Sequence, residues 1–162
     1  MLCPCGSERA YSQCCQAIIL AEKPASSPEQ LMRSRYSAYA TGQPKYIFMT
    51  YASASQAEQT IDDIAVWAEQ THWLKLEIHQ VSDFEKDLAN HQNAQVEFSA
   101  FYQHQGQIWH MRETSNFIME QGLWRYLDGD VSDSQALQKP KRNEHCFCGS
   151  EKKFKQCCAK NL

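Results

Sequence analysis

The chain has 162 residues, 43% of them hydrophobic, and a formal net charge of −3. That length accommodates one domain of about 110 residues with its own core, flanked by small modules. The negative balance argues against bulk nucleic-acid binding, and no apolar run approaches the roughly 20 residues of a membrane-spanning helix.

The chain opens with Cys3-Pro4-Cys5-Gly6-Ser7 and, with eight residues intervening after Cys5, reaches Cys14-Cys15. Ala17-Ile18-Ile19-Leu20-Ala21 is a short apolar run that should dock this segment onto the body, with residues 22–27 as connector. Ser27-Pro28-Glu29-Gln30 reads as a helix start: Ser27 as N-cap, Pro28 in the first turn and Gln30 closing a capping box. Met32, Tyr36, Tyr39 and Ala40 form its apolar stripe, and Gly42 with Pro44 stops it. Arg33 and Arg35 flank the stripe, placed either to bind an anion or to pair with sheet carboxylates such as Glu113 or Asp128. Residues 45–51 suggest a second short helix and 53–59 a loop. Thr60-Ile61-Asp62-Asp63 starts a third helix, acidic in its first turn as the dipole favours. Its apolar side is Ile61, Ile64, Ala65, Trp67 and Ala68.

After Trp73 the period changes to two. Residues 74–81 alternate as a half-buried strand, 83–93 form a polar turn or loop, and 94–103 make a second strand with Val96, Phe98 and Ala100 on one face. Phe101 breaks that pattern. His104-Gln105-Gly106-Gln107 is a hairpin turn, 108–119 a long strand, Glu120-Gln121-Gly122 another turn, and 123–128 the last strand, ended by Gly129-Asp130. Residues 133–144 read as a polar linker. Three helices packed on a curved antiparallel sheet of about four strands make an α+β, cone-like body.

The opening motif then returns. Cys146-Phe147-Cys148-Gly149-Ser150 and Cys157-Cys158 repeat it at an offset of 143, with eight of 13 positions identical, and the two copies hold all eight cysteines. Four thiols within 13 residues suit a tetrahedral zinc site. Gly6 and Gly149 sit where a tight turn needs positive φ, which would aim backbone N–H groups at the sulfurs. A disulfide framework is the alternative. Against it, no secretion signal precedes Cys3, and the stretch between the copies contains no cysteine to staple. C-x-C with C-C is also not the C-x-x-C redox spacing. The expectation is two zinc ions, held by Cys3, Cys5, Cys14 and Cys15 and by Cys146, Cys148, Cys157 and Cys158, in a cytoplasmic protein. Without metal the two knuckles should be largely unfolded, while the body folds on its own.

Each copy resembles a SEC-C motif, the zinc-binding tail of the SecA translocation motor, through C-x-C-G-S, the basic-aromatic step (Arg9 and Tyr11; Lys152 to Lys155) and the C-C pair. The first copy departs from it, with Ala10 and Ser12 where the second has Lys153 and Lys155. With Leu31-Met32-Arg33-Ser34-Arg35-Tyr36 opening the middle, the whole chain resembles the YchJ family. The element order, and the closing stretch Gly122-Leu123-Trp124-Arg125-Tyr126, resemble the cone fold of nuclear transport factor and ketosteroid isomerase. The implied organisation is a knuckle over 1–20, a cone-like domain over 28–135 and a second knuckle over 139–162.

Two functions remain open on this reading. Resemblance to the SecA tail implies a zinc-bearing adaptor whose partners are a chaperone or the export and translation machinery. Residues 139–162 carry seven basic and two acidic side chains. They either offset thiolate charge or present a cationic surface to an acidic partner such as a protein, ribosomal RNA or lipid headgroups. The rival is a ligand carrier or enzyme using a pocket in the cone. Its lining candidates are Tyr36, Tyr39, Trp67, Trp109 and Arg112, with His110 and Glu113 beside them. Glu113 or Asp128 would be the general base, although aromatics at this spacing also serve as plain core. Fold resemblance alone carries no activity.

Overall fold

The structure is a computed structural model and describes residues 1–82, 85–86 and 92–162. Among the described residues, five α-helices precede the strands: α1 Gln16–Ile19, α2 Pro28–Ala40, α3 Pro44–Met49, α4 Ser53–Gln56 and α5 Ile61–Gln70. The strands follow: β1 Thr71–Val81, β2 Glu85–Lys86, β3 Gln92–His104, β4 Gln107–Glu120 and β5 Leu123–Leu137. They pair antiparallel in the order β1-β3-β4-β5, with β2 also on β3. The turn expected over 83–93 lies mostly outside the described residues.

The helix starts follow their caps. The Gln30 N–H donates to Ser27 Oγ at 3.1 Å, and the Gln30 side chain reaches back to the N–H of Ser26 at 2.6 Å. The Asp63 N–H donates to Thr60 Oγ1 at 3.1 Å. These bonds satisfy N–H groups that have no partner inside the helix. The β3–β4 and β4–β5 hairpins each turn on two successive left-handed residues, Gln105-Gly106 and Gln121-Gly122. Their backbone twist matches that of the strands they join.

Several boundaries differ from the sequence reading. Residues 53–56 form α4 rather than loop. β1 starts at Thr71, directly after α5, and bulges between Trp73 and Lys75 and between Ile78 and Gln80, so its alternation is broken twice. β5 does not stop at Gly129. It pairs with β4 as far as Leu137 opposite Ile108, so residues 133–137 are strand, not linker.

Apolar clusters pack on both faces of the sheet, the second at one end only. On one, Leu76, Val96, Phe98 and Phe117 pack against Leu31, Met32 and Tyr36 of α2 and Ile64 of α5. Cys3, Cys5 and Cys15 belong to this same cluster. On the other, Leu74, Phe101 and Ile108 pack against Cys146, Cys148, Phe154 and Cys158. Phe101 breaks the strand pattern because the C-terminal knuckle buries that face too. The body therefore shares these two clusters with the knuckles. Among the described residues, no helix is long and apolar enough to cross a membrane.

Candidate functional site

The two cysteine loops have nearly the same backbone. The Cys3 N–H donates to the Arg9 carbonyl at 2.8 Å and the Cys146 N–H to that of Lys152 at 2.9 Å. Gly6 and Gly149 have φ of 76° and 72°, and Glu8 and Glu151 follow at 60° and 59°. Cys14 and Cys157 share an unusual conformation, φ/ψ −123/−102° and −126/−118°. That kink lets adjacent cysteines face one point. Cys15 then caps α1 and Cys158 begins a 3-10 turn.

Each quartet can hold one metal ion, since its four sulfurs all lie within 4.8 Å of one another. Sulfurs arranged tetrahedrally around an ion at about 2.3 Å are about 3.8 Å apart. Sγ–Sγ distances are 3.8 Å for Cys5–Cys14 and Cys14–Cys15, 3.5 Å for Cys148–Cys157 and 4.0 Å for Cys157–Cys158. All eight cysteines are free, with no disulfide. Equivalent serines support equivalent thiols: Ser7 Oγ lies 3.3 Å from Cys14 Sγ and Ser150 Oγ 3.1 Å from Cys157 Sγ.

Ionisation is uneven within each quartet. A hydrogen bond from Cys15 lowers Cys5 to about 4 despite burial, while that bond and burial push Cys15 up. At Cys148 burial acts upward, but hydrogen bonds from the Ser150 hydroxyl and backbone outweigh it and bring the thiol to about 7. Burial pushes Cys14, Cys146 and Cys158 up. Four thiolates this close are stable together only around a cation. The donor set thus fits a soft divalent metal.

A cation from the body grips each loop at the same place. Arg33 Nη1 donates to the Cys5 carbonyl at 2.7 Å, and Lys75 Nζ to the Cys148 carbonyl at 2.9 Å. The C-terminal loop also covers the edge strand, where Asn161 Nδ2 donates to the Leu74 carbonyl at 3.1 Å.

Between the helices and the sheet lies a cavity of about 190 Å³. Tyr36, Tyr39, Trp67, Trp73 and Tyr102 form its aromatic wall, and Arg35, Glu113 and Ser115 its polar groups. Arg35 is 4% exposed. Its Nη1 donates to the Ile47 carbonyl at 2.8 Å and Thr50 Oγ1 at 2.6 Å, and its guanidinium lies over the rings of both Tyr51 and Tyr126, at 4.4 and 4.5 Å from their centroids. Glu113 Oε1 accepts from Ser115 Oγ at 2.8 Å and from Tyr126 Oη at 3.0 Å. Burial, then the Glu113 charge, pushes the Tyr126 phenol up, so it stays a donor.

Comparison with known proteins agrees with this architecture. The family described as "YchJ, middle NTF2-like domain" matches residues 27–129, and the SEC-C motif matches 2–17 and 142–160. The chain belongs to the YchJ family. A UPF0225 protein of Vibrio parahaemolyticus is 38% identical over 168 residues, covering 96% of this chain and 97% of the relative. One of Shewanella sp. is 38% identical over 162 residues, with 98% and 96% covered. The solution structure of a SEC-C motif protein from Rhodopseudomonas palustris has a TM-score of 0.72 at 31% identity, covering 82% of this chain and 100% of its own. A crystal structure of one from Psychrobacter arcticus has 0.67 at 30%, covering 100% and 97%.

In this YchJ-family chain, the structure brings Tyr36, Tyr39, Trp67 and Glu113 together around the cavity. It leaves the other candidates outside. Trp109 packs against the core cluster without lining the cavity. Arg112 is on the opposite face, its Nε 2.8 Å from Glu97. His110 is there too, stacked on Phe101 and bonded to Ser99 Oγ at 2.9 Å. Asp128 is exposed and accepts from Asn116. Neither arginine of α2 pairs with Glu113 or Asp128: Arg33 pairs with Glu29 at 2.8 Å, and Arg35 is held as described. The sequence reading missed Trp73, Tyr102 and Tyr126. Tyr102 continues the period of Phe98 and Ala100 and was findable, whereas the bulge after Trp73 hides that residue's side.

Proposed function

We propose that the protein binds two zinc ions and works as an adaptor, its C-terminal knuckle contacting an acidic protein partner. The observation carrying this reading is the duplicated quartet, matched in sulfur spacing, supporting serine and docking cation. All-thiolate ligation favours zinc among common divalent ions. The adaptor role is supported by the knuckle's outer face. Lys152, Lys153 and Lys155 are exposed and, among the described residues, form no ion pair. By resemblance to the SecA tail, the partner belongs to the chaperone, export or translation machinery.

Elemental analysis of protein purified without added metal should give about two zinc ions per chain. A value near zero in folded protein would sink the metal reading. Deleting residues 139–162 would uncover Leu74, Phe101 and Ile108, so charge reversal is the cleaner test of the partner. Lys152→Glu, Lys153→Glu and Lys155→Glu together should abolish capture of partners by the full chain. Capture that survives reversal refutes the knuckle as the contact.

A further inference from the structure

The cavity holds chemistry that the metal and adaptor reading leaves unused. We propose that it binds a neutral planar heterocycle bearing both a hydrogen-bond acceptor and a donor on its edge, a lactam of the purine or pyrimidine kind. Size comes first. A cavity of about 150 Å³ accepts benzene, so about 190 Å³ has room for a ring and its polar substituents. The wall is aromatic: Tyr36, Tyr39 and Tyr102 pack around Trp73 with ring centroids 5.3 to 5.4 Å from its own, so a flat ligand would lie against this cluster and not between its rings. Aromatic walls stack planar bases with little dependence on their identity. Trp67 is 38% exposed, which puts it at the solvent-facing rim.

The polar groups set the rest. Trp73 Nε1 is buried with no hydrogen-bond partner. An indole nitrogen only donates, so its missing partner is an acceptor. Arg35 uses Nη1 on the protein, and among the described residues its Nε and Nη2 make no bond. Glu113 commits Oε1 to Ser115 and Tyr126 and leaves Oε2 to accept. An anionic ligand would meet Glu113, and a cationic one Arg35. A neutral molecule that accepts from Trp73 or Arg35 and donates to Glu113 meets neither penalty.

The test uses the full-length, metal-loaded protein and the NMR signals of its four indole N–H groups. Trp73→Phe assigns the Trp73 signal. Hypoxanthine should shift it saturably, while benzoate and benzylamine should bind at least about tenfold more weakly. Glu113→Gln leaves Arg35 unopposed, so benzoate should then overtake hypoxanthine. A Trp73 signal unmoved by hypoxanthine overturns the proposal. Benzoate or benzylamine binding the unmodified protein as tightly overturns the charge argument, as does an unchanged order in Glu113→Gln. If that variant does not fold, the three-probe comparison on the unmodified protein decides alone.

Discussion

Gly129 shows how one residue can be misread from its type. In sequence it looks like the end of a strand. In the structure it lies within β5 opposite Ser115, where the backbone leaves room for Glu113. A Cβ there would lie 1.9 Å from Glu113 Oε1 and 2.7 Å from the Tyr126 hydroxyl. The glycine thus serves a close approach, not a turn. Gly129→Ala should displace the Glu113 carboxylate and destabilise the fold by about 1–3 kcal/mol, read by urea unfolding. Arg35 makes a similar point. Its type suggests a carboxylate partner, yet a carbonyl, a hydroxyl and two tyrosine rings hold it. Stacking on aromatic faces is an option open to guanidinium and much less to ammonium.

Among the elements, β1 and β3 carry the most information beyond their own pattern. The bulge after Trp73 keeps Trp73 and Leu76 with the helix-side cluster and sends Leu74 to the other. Phe101 faces the same way as Leu74. Its ring stacks on His110 at 4.7 Å and meets Phe147 at 5.7 Å. Phe101→Ala should therefore cost about 3–5 kcal/mol in denaturant unfolding of the full chain. A surface phenylalanine would be nearly neutral to remove, so a change within about 0.5 kcal/mol would show that the tail is not docked.

At the scale of the whole molecule, the two chain ends close on one segment of the body. Lys75 and Leu74 contact the C-terminal loop, and a Cβ on Gly6 would lie 3.5 Å from the Leu76 carbonyl oxygen. Tyr36 lies in the same cluster as Cys3, Cys5 and Cys15, and burial raises its phenol. Metal binding at either end should consequently stabilise the entire fold. Calorimetry of the loaded protein should show one transition, and stripping the metal with a chelator should lower its midpoint by about 10 °C or more. A body transition that stays in place while a separate small one vanishes would show that the ends fold apart from it.

Local spacing determined much of this protein. Eight cysteines in two matched runs, caps at Ser27 and Thr60, and glycines at 6, 106, 122 and 149 each act within a few residues, so their consequences can be read without the fold. Strand alternation likewise marked Val96, Phe98 and Ala100 as one buried face. Only the tertiary structure decided which face Arg112 and His110 take, why Phe101 is buried, how far β5 runs, and that the knuckles share the cores of the body. Those outcomes depend on contacts between residues distant in the chain, such as Phe101 with Phe147 and Glu113 with Tyr126. Hydrophobic burial and close packing reward such contacts whatever the sequence separation, and no local pattern encodes them.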